Sequence, residues 1–307
     1  IFNGLHAMKS QIVASECNAA HFPQNSLSGF HNCLDQNIDG IEFDVHLSRD
    51  GAVVIQHDTQ LNKQITRDKN GDWLQSTGPA LGDLTLDELR QYDIGRYLAD
   101  SAEAEAYPNY QPIDGEKIPT LDQFLAAHDQ HVNKPTLWIE LKSSPFERTI
   151  GADPEQLLDK VMAVVLQYDL VAHCILIAFE WDVLVTAKEK YPDIQTDFLT
   201  INSNYIRSTL KNQPDADPYL LYGEFEPRKH DKDFAKAIAA AGGDWWGPLI
   251  TDVTPADVEY AQSLGIKVNL WNVESTQQGI EHAISFNADA LTISDATMLQ
   301  RQMRLSK

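Results

Sequence analysis

Apolar and polar positions along this chain follow two periods in turn, and the switches between them predict its elements. Short apolar or alternating runs predict strands at 11–14, 40–45, from Val53 onward, and at 137–142, 175–179, 196–199, 245–246, 266–271 and 290–293. Helical spacing predicts helices starting at Asn25-Ser26 and running through Leu27, Phe30 and Leu34, at about 85–92, after Thr120, at about 153–167, from Trp181 to Tyr191, and at about 232–241. Two more open at Thr254-Pro255, where proline suits the first helical position, and at about 275. Strand and helix alternate, which predicts a parallel sheet, and roughly eight strands in this length fit a closed TIM (β/α)₈ barrel. An open doubly wound sheet fits less well, because no glycine-rich phosphate loop follows the first strand. Residues 59–117 break the rhythm and read as an inserted segment after the second-strand hairpin, lying on the working face of a single barrel domain spanning 1–307. Residues 202–217 suggest no element.

On the strand at 40–45, Glu42 and Asp44 share one face with His46, while Ile41, Phe43 and Val45 take the other. Asp50-Gly51 fits a hairpin turn, and Val53, Ile55 and His57 alternate on the return. Two carboxylates and an imidazole delivered to one place suit a hard divalent cation with an acid/base group beside it. A lone carboxylate or histidine on a strand is ordinarily a solvated face. Here a second apolar strand carries the same polar intrusion, with Trp138, Glu140 and Lys142 on one face. Both sets lie late in their strands, where barrels place their chemistry. Glu140 thereby completes a three-carboxylate cation site with Glu42 and Asp44, and Lys142 sets positive charge against a phosphoryl oxygen. Trp271, at a strand end, is the best candidate among Trp73, Trp245, Trp246 and Trp271 to line the pocket.

Charge narrows the partners. In 307 residues, 24 basic side chains face 45 acidic ones, a formal charge of −21. Such a surface repels nucleic acid and anionic membranes, so those are not expected partners, while a small phosphate-bearing substrate stays open and needs a local cation. No apolar run reaches the length of a transmembrane helix. Ile1 to Lys9 lack the basic start and long apolar stretch of a signal peptide. Cys17, Cys33 and Cys174 are too scattered for a disulfide framework or a zinc site. A reducing, cytoplasmic location is the expectation; oligomeric state is not legible.

Pro23-Gln24-Asn25-Ser26, Gly40-Ile41-Glu42-Phe43-Asp44-Val45, Asp50-Gly51 with Gln56-His57-Asp58, Ile118-Pro119-Thr120-Leu121, Ile139-Glu140-Leu141-Lys142 and Trp271-Asn272-Val273 stand in an order and spacing that resembles the glycerophosphodiester phosphodiesterase family. The resemblance covers about 12–295. It implies a TIM barrel, a divalent cation (Mg²⁺ or Ca²⁺), and hydrolysis of glycerophosphodiesters to glycerol 3-phosphate and an alcohol. By the same resemblance Glu42, Asp44 and Glu140 match metal ligands, and His57 matches one of two acid/base histidines. Lys142 matches a phosphate-contacting lysine, and residues 59–117 the family's insertion.

One departure stands out. The family opens with His-Arg-Gly eight residues before the proline of its next motif, and that count back from Pro23 lands on Ser15-Glu16-Cys17. The first catalytic histidine and the phosphate-binding arginine have no match, and arginine to glutamate reverses a charge. His21 lies in the same loop. Two readings stay open: a cation-dependent phosphodiester hydrolase, and a pseudoenzyme that binds a metal and a phosphodiester-like ligand without turnover.

Overall fold

Nine strands make one sheet in the computed structural model, which describes residues 10–210 and 212–305. They are β1 (Gln11–Ala14), β2 (Gly40–Leu47), β3 (Val53–Ile55), β4 (Thr136–Leu141), β5 (Cys174–Ala178), β6 (Gln195–Thr200), β7 (Trp245–Pro248), β8 (Lys267–Val273) and β9 (Ala290–Ile293). All but β3 run parallel to their neighbours, and β1 pairs with both β9 and β2, which closes an eight-stranded barrel. β3 folds back antiparallel on the end of β2, pairing Val45 with Ile55 and His46 with Val54. The hairpin turn is made at Gly51, whose φ of 81° suits a residue without a side chain.

The two faces of β2 separate as the alternation predicts. Outward, Phe43 packs against Phe30 and Phe124 of the helices Leu27–Asp35 and Leu121–Gln130, with ring centroids 6.1 and 4.9 Å away. Inward, Val13, Trp138, Ile175, Ile177, Leu199, Trp245 and Ala290 fill the barrel, and Trp138 meets Trp245 edge to face at 4.8 Å. A side chain at Gly40 would come within 2.6 Å of Trp138 Nε1, so this close approach requires the glycine that opens β2. Above this packed plug the inward positions turn polar, and there the site forms.

The helices start where their caps are written. Ser26, Thr120, Asp153 and Thr254 each accept a backbone N–H of the first turn, with Pro154 and Pro255 just inside their helices. Two expectations shift. The helix expected at about 85–92 is a single turn, Leu86–Leu89, closed by a capping box between Thr85 and Glu88. Conversely, Ser203–Thr209 is helical, capped by Asn202, although its polar sequence buries only Ile206 and so carries little periodic signal. Between β3 and β4, Leu61, Leu81, Leu89, Ile94 and Ile118 form a small core against Val54. Arg67 ties that segment together through Asp93 at 2.6 Å and Asp114 at 2.7 Å. No helix among the described residues is long and apolar enough to cross a membrane.

Candidate active site

The β2–β4 register sets Glu42 beside Trp138 and Asp44 beside Glu140 at the carboxyl ends of two neighbouring strands. Glu42, Asp44 and Glu140 each offer an oxygen, and these lie within 4.8 Å of one another. The Lys142 ammonium stands against them, 3.0 Å from Glu140 Oε1 and 3.5 Å from Asp44 Oδ1. Asn25 holds Asp44 from two directions: its Nδ2 donates to Asp44 Oδ2 at 2.9 Å, and its Oδ1 accepts the Asp44 backbone N–H at 3.1 Å. Asp44 Oδ1 is buried without a hydrogen bond. A buried carboxylate oxygen left over in this way, inside a three-carboxylate cluster, fits a hard cation.

The electrostatics follow from crowding like charges out of water. Burial, with Asp44, Glu140 and Glu16 adding, pushes the Glu42 carboxyl well above its ordinary range. Burial also raises Glu140, against Lys142. For Asp44 burial acts upward too, but Lys142, His57 and Asn25 outweigh it and hold the carboxyl below its usual value. Burial acts to lower Lys142, and Glu140 and Asp44 overcome it and raise the ammonium.

His57 sits just past β3 at the cavity mouth, its side chain 49% exposed. Lys142 and burial push its pKa down, yet Asp44, Asp58 and Glu16 lift it to about 10. Its Nδ1 meets Asp58 Oδ1 at 2.7 Å, and Asp58 Oδ2 in turn accepts from Asn62. His46, on the face of Glu42 and Asp44, is buried and does not line the cavity. It lies beyond the barrel rim in the hairpin, where its Nε2 meets the His57 carbonyl at 3.1 Å and burial holds it neutral, near 4. Trp271 does line the cavity, its Nε1 donating to the Gly247 carbonyl and its ring edge-on to Phe179.

The departing loop reaches the same place. Ser15, Glu16 and Cys17 form a short turn directly after β1, with Glu16, Cys17 and Asn18 in left-handed conformations at φ of 47°, 62° and 69°. Ser15 Oγ and the Glu16 backbone N–H both donate to Glu42 Oε2, at 3.3 and 2.9 Å. The Glu16 side chain enters the cavity, where burial lifts its carboxyl to about 8, with His57 opposing and Asp44 adding. Cys17 is buried away from solvent and burial pushes its thiol up. His21 does not line the cavity; it pairs with Asp295 at 2.7 Å. The cavity measures about 370 Å³, and a groove of about 890 Å³ opens beside it, sharing Glu140, Lys142 and Phe179.

Sequence reasoning assigned no role to a chain of polar groups inside the barrel, because its members lie on three separate strands. Thr292 Oγ1 donates to Asn269 Oδ1 at 2.8 Å, and Asn269 Nδ2 donates to Asp197 Oδ2 at 3.1 Å. Asp197 is fully buried, and burial lifts it to about 7 against the Asn269 bond. A folded-state value above the ordinary carboxyl one means its stabilising contribution is complete below about pH 4 and is lost as pH rises through about 7. Asp197→Asn is therefore expected to raise unfolding free energy by about 3 kcal/mol more at pH 8 than at pH 5, from ~1.4 kcal/mol per unit. Urea unfolding at the two pH values measures this; equal effects at both would show that Asp197 is not held neutral.

A model of the family described as the glycerophosphoryl diester phosphodiesterase family matches residues 18–298. The chain belongs to that family. Members of the glycerophosphoryl diester phosphodiesterase family are phosphoric diester hydrolases. The chain is 26% identical over 302 residues to a glycerophosphodiester phosphodiesterase of Caldanaerobacter subterraneus subsp. tengcongensis, covering 97% of this chain and 99% of that one. A relative from Bacillus subtilis (strain 168), provisionally named a glycerophosphodiester phosphodiesterase, is 29% identical over 189 residues, 62% of this chain and 65% of its own. Among solved structures, a phosphodiesterase of Oleispira antarctica in complex with the product sn-glycerol-3-phosphate superposes with a TM-score of 0.66 at 20% identity, covering 96% of each chain. That likeness shows the fold.

Proposed function

We propose that this chain hydrolyses glycerophosphodiesters, small-molecule substrates, to glycerol 3-phosphate and an alcohol, using a divalent cation, Mg²⁺ or Ca²⁺, on Glu42, Asp44 and Glu140. The observation that carries this reading is the convergence of those three carboxylates within 4.8 Å at the carboxyl ends of β2 and β4. Family membership supports the reaction class, and the product held by the Oleispira antarctica relative supports glycerol 3-phosphate. Bound there, the cation supplies Lewis-acid polarisation of the phosphoryl oxygens. Lys142, already placed between Glu140 and Asp44, stabilises charge developing on the phosphoryl group. His57, its Nδ1 fixed by Asp58, hands a proton to the leaving alkoxide. Trp271 and Phe179 give the cavity an apolar wall that orients the substrate and limits water.

The second reading, binding without turnover, is favoured by one observation: Glu16 puts a carboxylate into the cavity where the family's arginine is absent. Release of glycerol 3-phosphate from glycerophosphocholine and glycerophosphoethanolamine, measured with Mg²⁺, with Ca²⁺ and with excess EDTA, separates the two. Release that EDTA abolishes is the expected result. Cation binding without release selects the second reading, and release indifferent to EDTA overturns the cation's role.

A further inference from the structure

The loop after β1 carries a carboxylate that the proposed reaction does not use. Glu16, Asp44 and His57 form a second group whose ligand atoms lie within 4.8 Å of one another. Asp44 belongs to both groups. Phosphoesterases that use two metals hold them about 3.5–4 Å apart. The geometry points to a second divalent-cation position on Glu16, Asp44 and His57, bridged through Asp44 to the one on Glu42, Asp44 and Glu140.

Two observations beyond the crowding of acids support it. The Asp44 side chain is 1% exposed; its Oδ1 has an ion pair to Lys142 at 3.5 Å but no hydrogen bond, and Oδ2 takes one hydrogen bond from Asn25, so the carboxylate keeps a spare lone pair on each oxygen. His57 is oriented as cation-binding imidazoles are: Nδ1 is held by Asp58 at 2.7 Å, and Nε2 has no hydrogen bond among the described residues. The Glu16 backbone meanwhile buttresses the first position through Glu42, so one turn serves both.

Charge agrees with the geometry. Among the described residues around the cavity, the six carboxyl groups of Glu16, Glu42, Asp44, Asp58, Glu103 and Glu140 outnumber the basic groups of Lys142 and His57. One divalent cation leaves the carboxylates in excess where an anionic phosphodiester must sit, and a second reduces that excess. The reversal from arginine to glutamate thus becomes intelligible: the positive charge at this edge is carried by a bound cation rather than a guanidinium.

The inference rests on the cation reading above and deepens it. A second cation would take the His57 imidazole as a ligand, so the proton-donor role proposed for His57 belongs to the site carrying the first cation alone. Mn²⁺ titration of the whole chain, followed by the loss of free-Mn²⁺ electron paramagnetic resonance signal and by metal analysis after gel filtration, tests it. Expected are two Mn²⁺ per chain with a spin-coupled signal, and one uncoupled Mn²⁺ in a Glu16→Gln variant whose circular dichroism matches the parent. One Mn²⁺ in the parent, or two in Glu16→Gln, overturns the second position and leaves the first standing. Binding of none overturns both. Should Glu16→Gln fail to fold, Glu16→Arg gives the same measurement, with one Mn²⁺ expected and two overturning the inference.

Discussion

Glu42→Gln is expected to make the metal-free protein more stable while disabling it. Burial and three neighbouring carboxylates raise the Glu42 carboxyl, so its charged form costs stability as pH rises above its ordinary value near 4.5. Glutamine removes that cost and keeps an acceptor for the Ser15 hydroxyl and the Glu16 N–H. The same change removes one of three charged ligands, so divalent-cation affinity should fall and hydrolysis of glycerophosphocholine should drop by about 10³-fold, the scale of losing one preorganised electrostatic element of a transition-state site. The pairing of effects is what makes the test sharp. A thermal melt in EDTA at pH 8 should move upward while calorimetric Mg²⁺ or Ca²⁺ binding weakens. A melting point that falls, with binding unchanged, would identify Glu42 as a structural carboxylate and remove the basis of the site.

With the cation held on Glu42, Asp44 and Glu140 alone, His57→Ala should cut turnover of glycerophosphocholine by about 10²–10⁴-fold, the usual loss when a general acid is removed. The cation proposed on Glu42, Asp44 and Glu140 should stay bound, because His57 does not belong to that group. A substrate whose leaving group is already a good one, such as a p-nitrophenyl phosphodiester, needs no proton and should lose less than about 10-fold. The contrast between the two substrates is the readout. Equal losses on both would show that His57 serves the phosphoryl group or the fold rather than the leaving oxygen.

Much of this was legible in the residues. Period-two spacing separated Glu42 and Asp44 from Ile41, Phe43 and Val45, and the outward packing of Phe43 on Phe30 and Phe124 is the structural result. Caps at Thr120 and Thr254 were readable because a cap is a local hydrogen bond between positions three apart. His46 shows where such reasoning stops. It has the right parity, but the strand outruns the barrel, so its side chain meets the hairpin rather than the cavity. The Asp197, Asn269 and Thr292 chain had no local signal, since its members lie on three different strands and meet only through barrel closure.

Sequence alone therefore determined the barrel class, the face on which each carboxylate lies, and the substitution of Ser15-Glu16-Cys17 for the expected motif. These depend on periodicity and on residue identity, which are local. Tertiary structure decided what meets what. Closure of β1 onto β2 carries the loop after β1 to the carboxyl end of β2, and three left-handed residues aim Glu16 at Asp44 and His57. That convergence depends on strand register and loop dihedrals, which no spacing encodes, and it is what the proposed second cation position rests on.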